Sequence, residues 1–203
     1  QMQGGGNRVM GFGKSKAKLA TKDTPRTTFS DVAGCEEAIE ELQEIREFLS
    51  EPAKFQAVGA KIPKGVLLYG PPGTGKTLAA EALAGTLGLK FIHIGISEIE
   101  SKFVGDTAKN ISAAFQSAAL QGALLFFDEA DTLLGARLSS VTQGIDNEIN
   151  AMRSTMLIEL ERFNGVVVFA TNFAKNYDSA FVSRIRYHVE FQLPDVEERQ
   201  RLW

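Results

Sequence analysis

Short apolar runs and longer amphipathic stretches take turns along the chain. Lys64–Tyr69, Lys90–Ile94, Ala123–Phe127, Val166–Ala170 and Tyr187–Gln192 read as strands. Ala123–Phe127 is wholly apolar, as expected of a strand covered on both faces. Helical spacing fills the intervals. Ile39, Leu42, Ile45 and Leu49 recur within Cys35–Ser50, with glutamates on the other face and Pro52 after the stop. Leu78–Leu87 is rich in Ala and Leu. Asp106–Ala119 puts Ala108, Ile111, Phe115 and Ala118 on one side, and Ile145–Arg162 turns Ile149, Met152, Met156 and Leu160 inward. The methionines read as core filler rather than ligands. Such alternation predicts an α/β domain: a mostly parallel sheet, helices on both faces, and ligands at the carboxyl ends of the strands. Gln1–Thr27 has Gly4-Gly5-Gly6, scattered lysines and no apolar period, so it predicts a flexible leader, with structure beginning near Phe29. Phe55–Pro63 reads as a connector, and no internal repeat occurs.

Composition adds limits. A chain of 203 residues, 44% hydrophobic and 23% charged, suits one globular domain. No apolar run reaches the roughly 18 residues of a membrane helix, and the start lacks the apolar core of a signal peptide. Cys35 stands alone, so no intrachain disulfide can form, and His93 and His188 are not arranged as a zinc-peptidase H-E-x-x-H. The leader holds Arg8, Lys14, Lys16, Lys18, Lys22 and Arg26 against Asp23, although the whole chain carries −3. That basic start is either a segment drawn to anionic lipid or a solvated tail. A sequence pI near 5.5 argues against a duplex-DNA binder.

The candidate chemistry centres on Gly70-Pro71-Pro72-Gly73-Thr74-Gly75-Lys76-Thr77, which fits G-x-x-x-x-G-K-[ST] between a strand and a helix. Glycines let the backbone N–H groups turn inward, and the helix start adds the positive end of its dipole. Lys76 can reach β- and γ-phosphates, and the Thr77 hydroxyl can ligate Mg²⁺. A Gly/Pro-rich turn ahead of a helix is the plain alternative. The strand Leu124–Phe127 ends in Asp128 and Glu129. Asp128 is placed to hold Mg²⁺, directly or through water, and Glu129 to deprotonate an attacking water. Another strand runs out into Thr171-Asn172, where the amide can face the γ-phosphate or simply begin a turn.

Together the phosphate loop, the Asp-Glu strand end and Thr-Asn resemble the AAA ATPase module over residues 28–203. The resemblance implies a P-loop NTPase fold with five strands ordered 5-1-4-3-2, ATP or ADP with Mg²⁺ as cofactor, and a hexameric ring. It implies that Pro72, Gly73, Thr74, Gly75, Lys76, Thr77 and Leu78 hold the nucleotide. Asp31, Val32, Ala33 and Gly34 would line the adenine pocket, and Asn172 would be the sensor-1 residue. Arg184, with Arg186 as second candidate, lies where the family has its arginine finger; the plain alternative is a pair of solvated arginines at a helix end. Lys102, Phe103, Val104 and Gly105 match the loop that grips polypeptide in the ring's pore, unless Phe103 is a core residue.

Residues 1 to about 77 are similar to the FtsH branch, the membrane-anchored ATP-dependent proteases, through Phe29–Gly34, Glu47-Phe48-Leu49 and Gly59–Leu68. Leu133–Gly144 and Val182–Tyr187 depart from that branch, and the part after the phosphate loop is more similar to other bacterial, soluble AAA proteins, which suggests a hybrid joined near residues 75–80. Leu193-Pro194-Asp195 matches the entry to a helical lid, of which 195–203 would be only the start. The expectation is an ATP-hydrolysing module of a protein-unfolding ring, cytoplasmic and facing a membrane only through a segment preceding this chain. Without the lid it would be a monomer or weak oligomer. A nucleotide-binding or folding-only module is the alternative; a nucleic-acid-loading ATPase fits the charge less well, and no nucleic-acid partner is expected.

Overall fold

The computed structural model describes residues 20–22, 24–57, 65–96, 107–135, 145–173 and 177–194. Its strands are β1 (Ala20–Lys22), β2 (Gly65–Tyr69), β3 (Lys90–Gly95), β4 (Ala123–Asp128), β5 (Val167–Thr171) and β6 (Tyr187–Glu190). Its helices are α1 (Glu36–Ser50), α2 (Pro52–Gln56), α3 (Lys76–Thr86), α4 (Thr107–Gln121), α5 (Asp131–Leu134), α6 (Ile145–Arg162) and α7 (Ser179–Val182). The sheet order is β1-β3-β4-β5-β2-β6. The five strands from β2 to β6 are parallel, in the order predicted from the resemblance.

Strand alternation divides the core between two faces. Leu67, Ile92, Ile94, Leu125, Phe127, Val167 and Phe169 face one layer, packing with Ile111 and Phe115 of α4 and Met152 and Met156 of α6. Val66, Leu68, Phe91, Leu124, Phe126 and Val168 face the other, with Ile39, Leu42 and Ile45 of α1 and Ala79 and Leu83 of α3. This is why β4 can be apolar from Ala123 to Phe127: neither face meets water there. Rings pair within each layer, Phe91 on Phe126 at 5.6 Å and Phe127 on Phe169 at 5.4 Å between centroids. Each such side chain contributes roughly 1.5–3 kcal/mol by burial.

Several expectations are corrected. The stretch before Phe29 is not uniformly a flexible leader, since β1 pairs antiparallel with β3, Thr21 opposite Ile92. Residues 24–28 then run against α3, and a Cβ on Gly85 would meet the Thr27 carbonyl oxygen at 2.1 Å. The lack of a side chain at Gly85 admits this segment. Phe55 and Gln56 belong to α2 rather than to a connector. Ala114, not Ala108, is buried on α4, because the helix presents its Ile111–Ala114–Phe115–Ala118 stripe to the sheet; Ile149 is half-buried. None of the described helices is long and apolar enough to cross a membrane. The proposed pore-loop residues Lys102–Gly105, most of the 133–144 departure and residues 195–203 lie outside the described residues.

Candidate functional site

The carboxyl ends of β2, β4 and β5 bring the sequence-predicted residues to one edge of the sheet. β2 leads into the glycine-rich loop, where Gly70, Gly73 and Gly75 have φ of 140°, 77° and 87°. At Gly70 the demand is double. Its φ suits glycine, and a Cβ there would lie 2.0 Å from the Phe191 carbonyl oxygen. α3 starts at Lys76 directly after Gly75, so its first N–H groups face the loop. Lys76 is folded back over that loop. Its ammonium donates to the carbonyls of Gly70 at 2.8 Å and Pro71 at 2.7 Å, while Thr74 Oγ1 donates to Pro71 at 2.9 Å. Burial lowers the Lys76 pKa, opposed by the charges of Asp128 and Asp131. Pro72, Gly73 and Leu78 are exposed around the same loop.

Asp128, half-buried at the end of β4, gathers three donors. Thr77 Oγ1 donates to its Oδ2 at 3.0 Å, the Glu129 N–H to its Oδ1 at 2.9 Å, and His93 Nε2 lies 3.3 Å from Oδ2. Burial alone would raise the Asp128 pKa, but the hydrogen bonds from His93, Glu129 N–H and Thr77 outweigh it and hold the carboxyl below its ordinary range. Glu129 is exposed and sits at φ 53°, a left-handed conformation that costs energy for a residue with a side chain. It carries the chain sharply from β4 into α5.

β5 lies between β4 and β2, so Asn172 emerges between Asp128 and the glycine-rich loop. Its backbone N–H donates to Asp131 Oδ1 at 3.0 Å, and the buried Thr171 hydroxyl donates to the same oxygen. Asp131 thus clamps the end of β5 to the start of α5. Sequence reasoning missed Asp131, although its place three residues after Asp128 in Asp-Glu-Ala-Asp could have drawn notice. It also missed His93 as a member of the site. Arg153 was missed as well: it is buried on α6 and donates to the Thr132 and Leu133 carbonyls, holding α5 from below.

Other expected residues lie around this centre. Asp31 receives a hydrogen bond from Thr28 N–H at 2.7 Å, closing the short turn that carries Val32, Ala33 and Gly34. Gly34 opens a cavity of about 290 Å³ shared with Cys35, Glu190 and Leu193. A larger cavity of about 830 Å³ lies at the opposite ends of the strands, among Leu49, Leu87, Phe163 and Val166. Arg184 does not project freely: its guanidinium donates to Glu161 and to the Ala180 carbonyl at 2.9 Å. Arg186 is exposed.

The spacing of Thr77 Oγ1 and Asp128 Oδ2 fits a divalent ion. Adjacent ligands in an octahedral shell with bonds of about 2.1 Å stand about 3.0 Å apart. Among the described residues no three His, Cys, Asp or Glu side chains gather into a metal cluster. A dication here would therefore need further oxygens, such as those of phosphate.

The profile of the ATPase family associated with various cellular activities (AAA) matches residues 66–193. The chain belongs to the AAA family. Curated relatives of this AAA chain carry the name ATP-dependent zinc metalloprotease FtsH. One from Cutibacterium acnes is 47% identical over 100% of this chain and 29% of its own length. One from Rhodococcus erythropolis is 44% identical over 100% of the chain and 25% of its length. A third, named FtsH 1, from Conexibacter woesei, is 43% identical over 100% of the chain and 32% of its length. The AAA chain thus spans a quarter to a third of these relatives.

Proposed function

We propose that this AAA chain is the ATP-binding α/β unit of an FtsH-like ring motor that hydrolyses ATP with Mg²⁺ and moves polypeptide substrates. The observation that carries the reading is the meeting of Thr77 with Asp128 at 3.0 Å, beside Lys76 and one strand from Asn172. Lys76 would leave the Gly70 and Pro71 carbonyls for β- and γ-phosphate oxygens, and the loop N–H groups would hold the rest of the polyphosphate. Thr77 and Asp128 would hold Mg²⁺, which supplies positive charge to the phosphate oxygens. Glu129 would take the proton of the attacking water, and Asn172 would orient that water. The turn at Asp31–Gly34, with its neighbouring cavity, would take the adenine.

An arginine of a neighbouring subunit would complete the site, in a ring taken to be hexameric. Arg186 is exposed, whereas Arg184 would first have to give up Glu161. By analogy with GTPases such a residue contributes about 10³–10⁵ in rate. Lys102–Gly105 would contact the polypeptide. We place the motor in the cytoplasm, meeting a membrane only through a segment preceding this chain.

A second reading, a module that binds nucleotide and hydrolyses little alone, is favoured by the self-occupied Lys76 and Arg184. A hybrid joined near residues 75–80 would account for the departures at 133–144 and 182–187, but the identity to relatives extends along the whole chain and lends a join no support. Phosphate release measured against protein concentration, with oligomeric mass followed in parallel, tests the motor reading. Turnover rising more steeply than concentration supports an arginine supplied in trans. Strictly proportional turnover from a monomer contradicts it, and nucleotide binding without turnover at any concentration supports the second reading.

A further inference from the structure

We propose that His93 is a third protein ligand of the dication site, giving it a nitrogen donor and a selectivity for Mn²⁺ and Co²⁺ over Mg²⁺; this rests on the nucleotide reading above. His93 and Asp128 reach each other from neighbouring strands. In the parallel register His93 lies opposite Phe126, and Gly95 opposite Asp128. His93 is thus the diagonal neighbour of Asp128, within reach of an imidazole. Its ring is held by tilted contacts with Phe126 at 5.2 Å and Phe91 at 6.2 Å between centroids. Two buried phenylalanines therefore fix the direction in which Nε2 points, so little side-chain freedom remains to be lost on binding. The residue is not core filler, since its side chain is 39% exposed and faces the same carboxylate as Thr77.

Asp128 Oδ2 is 3.0 Å from Thr77 Oγ1 and 3.3 Å from His93 Nε2. Both separations are close to the edge of an octahedral shell, about 3.0 Å for bonds near 2.1 Å. At present these atoms are joined by hydrogen bonds. A cation can take their place, with Thr77, Asp128 and the neutral imidazole presenting lone pairs and phosphate oxygens or water filling the rest. Imidazole nitrogen suits Mn²⁺, Co²⁺ and Zn²⁺ better than Mg²⁺, which prefers oxygen and keeps its water. A site with only Thr77 and Asp128 would lack the nitrogen donor and show a smaller preference.

The test uses the full chain with ADP and Mn²⁺, and protein labelled with ¹⁵N-histidine. Pulsed electron paramagnetic resonance should show the coupling of a directly bound histidine nitrogen to Mn²⁺, lost in His93→Ser and in His93→Gln. Calorimetric ADP titrations with each metal should show the Mn²⁺-over-Mg²⁺ preference falling at least about tenfold in both variants. Wild-type ADP binding without histidine-nitrogen coupling overturns the inference and leaves the nucleotide site standing. Failure to bind ADP with either metal overturns both. The wild-type spectrum decides the matter even if a variant folds poorly.

Discussion

Replacing Asp131 by Ala removes one oxygen that accepts two hydrogen bonds, and the two losses differ in cost. The Thr171 hydroxyl belongs to a residue 1% exposed, so it would lose a charged acceptor where water has little access. A buried donor left unpaired costs about 1–3 kcal/mol. The Asn172 N–H faces solvent, and water can replace the carboxylate there at nearly no cost. The net expectation is a loss of about 2 kcal/mol, or a fall in Tm of about 4–8 °C for a domain of this size. Urea unfolding should show a lower midpoint with an unchanged slope. Asp131→Ala in a Thr171→Val background should cost much less, giving a coupling of about 1–2 kcal/mol in the double-mutant cycle. Because the same oxygen holds Asn172, kcat should fall in Asp131→Ala more than nucleotide affinity does. A loss below about 0.5 kcal/mol, with no coupling to Thr171, would refute the clamp.

Glu129→Gln should keep ATP bound while stopping turnover; hydrolysis at the parental rate would remove Glu129 as the base. Arg186→Ala should reduce turnover by orders of magnitude without changing nucleotide affinity, as measured by calorimetry beside phosphate release. A larger effect from Arg184→Ala would return the trans role to Arg184. On the acid side, the depressed Asp128 pKa gives stability present above the unfolded carboxyl pKa of about 4 and lost as pH falls through the lower folded value. In ligand-free protein, wild-type stability relative to Asp128→Asn should therefore decline below about pH 4 in urea titrations. A constant difference across that range would contradict the carboxylate's hydrogen bonding.

The sheet was legible because burial on two faces leaves strong marks. Ala123–Phe127 could be little else than an inner strand, and Ile145–Arg162 was read to its observed limits from four apolar positions. The glycine-rich loop was legible because its backbone conformations need those residue types. What escaped lacks a periodic signal. α5 and α7 span four residues each, too few for a helical period to show. β1 is joined to β3 by backbone pairing, which the residue types around Ala20–Lys22 do not announce. His93 enters the site only through the β3–β4 register, and register between parallel strands far apart in sequence is fixed by packing. Arg184 matched a family position, but its pairing with Glu161 on α6 depends on how α6 and α7 meet.

On the proposed reading Lys76 and its loop hold the polyphosphate of a nucleotide. Isothermal titration of ADP and ATP into the wild-type chain and Lys76→Ala tests it most directly. Binding should saturate in the wild type and be undetectable in the variant; equal affinity in both, with the variant folded, would overturn the nucleotide reading.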